Sequence, residues 1–180
     1  SGGSLIRTNL SKAKIVGQNN VGGLAGQITN GASISWSHNS GNGGINATVA
    51  APGEGYVKVS GTETRTNIGG LVGLSDGSTI SNSGNTATII GRTADDAANV
   101  SRVGGIAGSM VNTSKAENIA NAGNVFGESE TGGLIGYGES SQIGVNNTID
   151  NLTAASFNRG QVDGIEDTGG IAGHIKDVKL

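Results

Sequence analysis

Cysteine is absent from this chain of 180 residues, proline occurs once, and aromatic residues make up only 3% of the positions. Without cysteine there are no disulfides and no cysteine-ligated metal site. A deep globular core has few rings to fill it, and hydrophobic residues reach only 34%. The composition therefore favours a narrow architecture in which each layer buries a few aliphatic side chains.

Charge is sparse as well, since 11 basic and 14 acidic residues are scattered along the chain and give a net charge of −3. There is no basic patch, so nucleic acid is not an expected partner. No stretch is long and apolar enough to span a bilayer, so membrane insertion is not expected. The opening residues do not read as a signal peptide, and we expect the chain to be a fragment of a longer protein.

Glycine is abundant, with 34 residues, and it is organised in a repeat. The pentad Gly-Gly-aliphatic-aliphatic-Gly occurs five times, always with Leu or Ile at its third position, at Gly22–Gly26, Gly69–Gly73, Gly104–Gly108, Gly132–Gly136 and Gly169–Gly173. The pentads start 47, 35, 28 and 37 residues apart. Such self-similarity predicts one repeat array over residues 1–180, with insertions near residues 51–55, 93–101 and 146–155 as surface loops.

A second element lies between the pentads and reads aliphatic, polar, Asn or Ser, small, Gly, then Val or Ile, then Gly. Ile119–Gly127 is a complete copy, Ile80–Gly84 resembles its first half, and Asn158–Gly164 matches its second half. In three units the closing glycine precedes the next pentad by the same offset, as at Gly127 and Gly132. A constant offset indicates a structural unit rather than a chance run of glycine.

These patterns predict an all-β fold. The pentad has the aliphatic content of a short strand, and its glycines allow a neighbouring backbone to approach closely. Asn-Gly and Ser-Gly steps supply the corners between strands. We expect an elongated β-solenoid, similar to a parallel β-helix, with inserted loops and seven or eight coils about 4.8 Å apart. A β-prism and a β-sandwich are the alternatives.

The pentads and the residues before them resemble the GLUG motif of bacterial surface proteins, in the five segments Val21–Gly26, Ile68–Gly73, Val103–Gly108, Thr131–Gly136 and Thr168–Gly173. Such repeats occur in adhesin-like proteins and beside the peptidase domain of secreted immunoglobulin A proteases. The resemblance implies a secreted or surface-bound bacterial protein with a β-rich repeat. It does not imply proteolysis, because the zinc-peptidase motif of those proteases lies outside the repeats.

Candidate site residues are few. The histidines, His38 and His174, have no metal-ligand spacing and are interpreted as ordinary surface residues. Asp76, after the second pentad, partly matches the calcium-binding nonapeptide of β-roll proteins, but it is displaced by two positions. Loop carboxylates could also supply oxygens for calcium, in the acidic pairs Asp95–Asp96, Glu128 with Glu130, and Glu166–Asp167. We therefore predict no catalytic, cofactor-binding or metal-binding residue.

The expected function is that of a non-catalytic structural or adhesive repeat segment, extracellular or at the cell surface, acting as a stalk, adhesin or fibre component. Expected partners are a host or matrix protein or glycan, or neighbouring copies or domains of the same protein. One alternative is an accessory substrate-binding region of a secreted peptidase. A solenoid carbohydrate-active enzyme is less favoured, because it would need carboxylates and aromatic residues clustered on one face.

Overall fold

The computed structural model describes residues 2–40, 56–59, 67–91, 101–144 and 156–179, and these residues form strands, turns and bends without a helix. All strand pairs among them are parallel. The fold is therefore the predicted all-β solenoid, and the parallel pairing is inconsistent with the antiparallel β-sandwich alternative. In the described part of the chain, no helix has the length and apolar character needed to cross a membrane.

The described strands fall into five successive coils. Coil 1 contains β1 (Ser4–Ile6), β2 (Asn9–Ser11), β3 (Lys14–Gly17), β4 (Val21–Gly22) and β5 (Ala25–Thr29). Coil 2 contains β6 (Ser33–Ser35), β7 (His38–Ser40), β8 (Tyr56–Val59), β9 (Ile68–Gly69) and β10 (Val72–Asp76). Coil 3 contains β11 (Thr79–Asn85), β12 (Thr88–Ile90), β13 (Ser101–Gly104) and β14 (Ala107–Val111). Coil 4 contains β15 (Lys115–Asn121), β16 (Val125–Phe126), β17 (Ser129–Gly132) and β18 (Ile135–Glu139). Coil 5 contains β19 (Gln142–Ile143), β20 (Phe157–Asn158), β21 (Val162–Asp163), β22 (Thr168–Gly169) and β23 (Ala172–Lys176).

Each coil crosses four parallel sheets in the same order. Sheet 1 is the widest and contains β1, β2, β6, β7, β11, β15, β19 and β20. Sheet 2 contains β3, β8, β12, β16 and β21, sheet 3 contains β4, β9, β13, β17 and β22, and sheet 4 contains β5, β10, β14, β18 and β23. The five described coils span about 19 Å along the axis at the usual strand spacing. The expected seven or eight coils are too many, because each coil here crosses four sheets and so uses more residues.

The five pentads are equivalent rungs, as predicted, because their first glycines pair in one continuous register. Their local structure differs from the prediction, however. The pentad is a corner and not a strand: β9 ends at Gly69, β10 begins at Val72, and Gly70 and Leu71 form the bend between them. Glycine is required there because a Cβ at Gly70 would collide with the carbonyl oxygen of Gly105 in the next coil.

Stacked hydrogen bonds join the pentad corners along the axis. The N–H of Leu71 donates to the carbonyl oxygen of Ile106 at 2.9 Å, and the N–H of Ile106 donates to that of Leu134 at 2.8 Å. Leu71, Ile106 and Leu134 are fully buried. The corner therefore satisfies its backbone polar groups while it places one branched side chain in the core of each of coils 2, 3 and 4. In the end coils Leu24 is partly buried and Ile171 is 39% exposed.

The core has two apolar clusters separated by a column of amides. One cluster lies between sheets 1 and 4 and includes Ile80, Leu71 and Met110, and the smaller one lies between sheets 2 and 3 around Ile89. Between them lies the asparagine column, which consists of Asn39, Asn85, Asn121 and Asn158. The Asn39 Nδ2 donates to the carbonyl oxygen of Gly70 at 2.8 Å, across the interior at the pentad corner.

The register also corrects the alignment of the second repeat element. Ile80 pairs with Ala116 and Ser83 pairs with Ile119, so overlaying Ile80–Gly84 on Ile119–Gly123 is wrong by three residues. Asn-Ser-Gly and Asn-Ala-Gly look alike locally, whereas the register is set by the burial of Ile80 beside Ala116. The closing glycines do have a constant role: a Cβ at Gly127 would collide with the side chain before the next pentad.

Extra residues enter between strands that keep their register. Ser40 pairs with Ser11 and Tyr56 with Lys14, although a much longer segment separates the residues of coil 2. The predicted insertions at residues 51–55 and 146–155 lie outside the described residues, as does all but the last residue of the insertion at 93–101.

Candidate binding trough on sheet 1

A trough of about 290 Å³ runs along the outer face of sheet 1, parallel to the solenoid axis. Its main features come from Trp36, His38, Asn82, Gly84, Asn118 and Phe157, and this set is called the sheet 1 trough below. The residues belong to four successive coils. Because side chains alternate across a strand, these outward positions are in line with one another while their neighbours point into the core.

Small residues form the floor of the trough. The register places His38, Gly84, Ala120 and Phe157 in one row that runs along the axis. A Cβ at Gly84 would lie 2.9 Å from the His38 Nδ1, so glycine provides the space that the imidazole occupies. Gly84 and Ala120 lie in the middle of this row, and the rings of His38 and Phe157 stand at its ends. The surface is therefore concave.

Two amides line the trough beside this floor. Asn82 and Asn118 both have left-handed backbone conformations, with φ of 48° and 49°, and the Asn118 Nδ2 donates to the Asn82 Oδ1 at 2.7 Å. Within the described residues, the Asn82 amino group and the Asn118 oxygen have no partner. The pair therefore offers one donor and one acceptor side by side.

Aromatic rings stand at the two ends of the trough. Trp36 is 61% exposed and Phe157 is 39% exposed, both high for such large apolar side chains. The guanidinium of Arg159 lies 4.8 Å from the centre of the Phe157 ring and holds it in place. Trp36 has φ of 51°, in the column where coils 3 and 4 have asparagine.

Left-handed backbone suits asparagine and strains a bulky residue such as tryptophan. The exposed indole in this column is therefore not explained by local folding preference. Trp36 is therefore a candidate binding residue.

His38 is half-buried in the trough, and burial lowers the pKa of its imidazole below 6.5. The unfolded chain therefore takes up a proton at higher pH than the folded chain does. We expect this contribution to stability to be complete above pH 6.5 and to be lost as the pH falls through the lowered pKa. Urea unfolding between pH 7 and pH 5 measures it, and H38Q should show a weaker dependence on pH. Equal slopes for the two chains would contradict the assignment.

A second polar group of residues covers the corner between sheets 3 and 4, and its charges are paired internally. The Arg102 Nε donates to the Glu130 Oε2 at 2.9 Å, and the same guanidinium lies 4.1 Å from the centre of the Tyr137 ring. The Lys176 Nζ donates to Glu139 at 2.6 Å, which lowers the pKa of that carboxyl group. Because these charges are paired with one another, we interpret this group as stabilising the surface and not as a binding site.

Of the residues that the sequence singled out, two acidic pairs lie side by side in coils 4 and 5, because the N–H of Glu166 donates to the carbonyl oxygen of Glu128 at 2.8 Å. His38 lies in the sheet 1 trough, whereas His174 stacks on Tyr137 in sheet 4 and lies 3.3 Å from Asp167. Asp76 accepts a hydrogen bond from Asn112, and Asp95–Asp96 lies outside the described residues. Among the residues that the structure describes, no three His, Cys, Asp or Glu side chains are grouped as metal ligands would be.

Sequence reasoning missed the trough itself. Trp36 and Phe157 are far apart in the chain and were noticed only as scarce aromatics. The alternation Trp36-Ser-His38-Asn does indicate two side chains on the outer face of one strand. The residues of other coils that lie beside them could be assigned only from the strand register.

The fold and the pentad corners define a parallel β-solenoid repeat. Comparison with known families places the GLUG motif at residues 64–90, which confirms the resemblance for that stretch. The matched stretch runs from β9 to β12 and so crosses each of the four sheets once. The comparisons found no matching curated protein and no matching solved structure.

Proposed function

We propose that the chain is a non-catalytic adhesive and structural segment of a secreted or cell-surface bacterial protein. The GLUG motif is a repeat found in extracellular and surface proteins, and this chain uses it as a structural repeat. The observation that carries the proposal is the column of corner hydrogen bonds, which joins each of the five coils to the next, together with the asparagine hydrogen bonds between coils 3, 4 and 5. Such a stack is a stiff support for a binding face.

The distribution of polar groups supports a binding role over a catalytic one. The sheet 1 trough is lined by amides, hydroxyl groups and aromatic rings, and no carboxylate of the described residues lines it. The described carboxylates of Glu130, Glu139 and Asp167 are paired with basic partners on other sheets. General acid or base chemistry needs a titratable group beside the substrate, and His38 alone would have to supply it.

The adhesive role can be tested in the bacterium that carries the gene. In-frame deletion of these 180 residues should leave the rest of the protein exported. Attachment to host cells or matrix should fall to the level of a strain without the whole protein. Surface proteolysis and antibody labelling verify export, and attachment counts measure function. The matched control is the full-length protein with G105A, which keeps all 180 residues but should destabilise the solenoid.

Three outcomes would contradict the proposal. Full attachment after the deletion would exclude the adhesive role, and a protein found only inside the cell would exclude the location. Loss of a secreted peptidase activity with attachment unchanged would instead favour the accessory role beside a peptidase. Turnover of a glycoside by the purified chain, abolished by H38Q, would show an enzyme.

A further inference from the structure

We propose that the sheet 1 trough binds a neutral oligosaccharide about three sugar rings long, spanning coils 2 to 5. This names the ligand class of the adhesive role and rests on that proposed function. The GLUG match covers only the coil 3 part of this face, and Trp36, Asn118 and Phe157 lie outside the matched residues.

The chemistry of the trough matches a sugar in two respects. The apolar C–H face of a pyranose ring packs on an aromatic ring, and the trough has an exposed ring at each end, Trp36 and Phe157. Sugar hydroxyl groups both donate and accept hydrogen bonds. The Asn82–Asn118 pair presents one donor and one acceptor between the two rings.

The length of the trough sets the size of the ligand. The register places Trp36 in coil 2 and Phe157 in coil 5, so the two rings are three rungs apart. At about 4.8 Å for each rung, their axial separation is about 14 Å. That distance accommodates about three linked pyranose rings lying along the axis over Gly84 and Ala120.

Other classes of ligand fit the trough less well. A peptide could not add as a strand, because β11 and β15 are already paired on both sides. A phosphate-rich ligand would need several cations, whereas the described lining of the trough contains no Lys or Arg. The absence of a charged group from the described lining favours a neutral sugar over a sialylated or sulfated one.

The left-handed conformation of Trp36 provides a test that separates binding from folding. W36N puts into coil 2 the residue that coils 3 and 4 have in this column, so the variant should fold and should unfold at a higher temperature. It should also lose the sugar-binding ring. A variant that is more stable and yet does not bind cannot be explained by misfolding.

The experiment uses the purified 180-residue chain on an array of immobilised neutral, sialylated and sulfated oligosaccharides. Trp36 is the only tryptophan, so its fluorescence reports directly on the trough when a soluble trisaccharide from the array is titrated. We expect saturable quenching or a blue shift, and shifts of the Asn82 and Asn118 side-chain amide signals in NMR spectra. W36N and F157S should each weaken binding at least tenfold on the array. I165S, at an exposed apolar residue outside the trough, should bind like the parent chain.

The inference is overturned if the folded chain binds no neutral oligosaccharide, or if W36N and F157S bind as tightly as the parent. Binding confined to sialylated or sulfated sugars would overturn the assignment of a neutral ligand. If array binding fails while the genomic deletion still abolishes attachment, the adhesive role stands and the sugar assignment falls. If the chain binds the array while the deletion leaves attachment unchanged, the sugar assignment stands and the adhesive role falls.

Discussion

Replacing Gly105 with alanine should destabilise the solenoid more than most single substitutions do. Gly105 is the second glycine of the third pentad, where an added methyl group would collide with the carbonyl oxygen of Gly133 in the next coil and with the Asn121 amide. Both neighbours are anchored, because the Gly133 N–H donates to the Gly169 carbonyl and the Asn121 amide is hydrogen-bonded to Asn85 and Asn158. We expect a loss of more than about 3 kcal/mol in the free energy of unfolding, measured by urea titration with circular dichroism.

The chain contains a matched control for this experiment. Gly170 occupies the same motif position in the last described coil, and an alanine Cβ there would meet no atom within 4 Å. G170A should therefore leave the unfolding transition close to that of the parent. If G105A and G170A had equal effects, the glycine requirement would come from backbone conformation and not from the close approach of coils.

Replacing Asn121 with alanine should produce the second large effect, of roughly 3–5 kcal/mol. The buried Asn121 side chain makes four hydrogen bonds. Its Nδ2 donates to the Gly123 carbonyl at 2.7 Å and to the Asn158 Oδ1 at 2.9 Å. Its Oδ1 accepts from the Gly123 N–H at 3.1 Å and from the Asn85 Nδ2 at 2.8 Å. The substitution removes the side-chain partner of the Gly123 N–H and carbonyl. It also removes one of the two hydrogen bonds of the Asn85 Nδ2 and of the Asn158 Oδ1, in a network whose members polarise one another.

Asn124 is the matched control for N121A, since it is also an asparagine of coil 4. Its Oδ1 accepts one exposed hydrogen bond, from the Gln161 N–H at 3.1 Å. N124A should cost less than about 1 kcal/mol, because water can replace that partner. Equal losses for the two variants in urea unfolding would show that the asparagine column does not hold the coils together.

Both expectations depend on features that the sequence showed only in part. The pentads were visible as five copies, and their stacking followed from the repeat. Their role as corners was not visible, because Leu-Val or Ile-Ala between glycines has the composition of a short strand. At the corner, Gly105 packs closely against Gly133 and Asn121 of the next coil. These contacts lie far along the chain, so the local sequence around Gly105 does not show them.

The sequence-based overlay of Ile80–Gly84 on Ile119–Gly123, which matched Asn82 to Asn121, was wrong for a related reason. Asn82 and Asn85 are three residues apart in a run of Ser, Asn and Gly, and either could be matched to Asn121 by local pattern. In the fold, Asn85 joins the buried column while Asn82 lies on the outer face beside Asn118. A shift of three residues exchanges inside for outside, and only the burial of Ile80 between Ile34 and Ala116 selects the register.

The sequence by itself determined the class of fold: without cysteine and with few aromatics, regularly spaced glycines and aliphatic residues permit a thin, stacked β-structure. Composition and period are local properties, so they can be read along the chain. The tertiary structure decided which residues meet across coils, and therefore the corner, the asparagine column and the trough between Trp36 and Phe157. Those contacts join residues separated by whole coils of unequal length, and no local pattern encodes that separation.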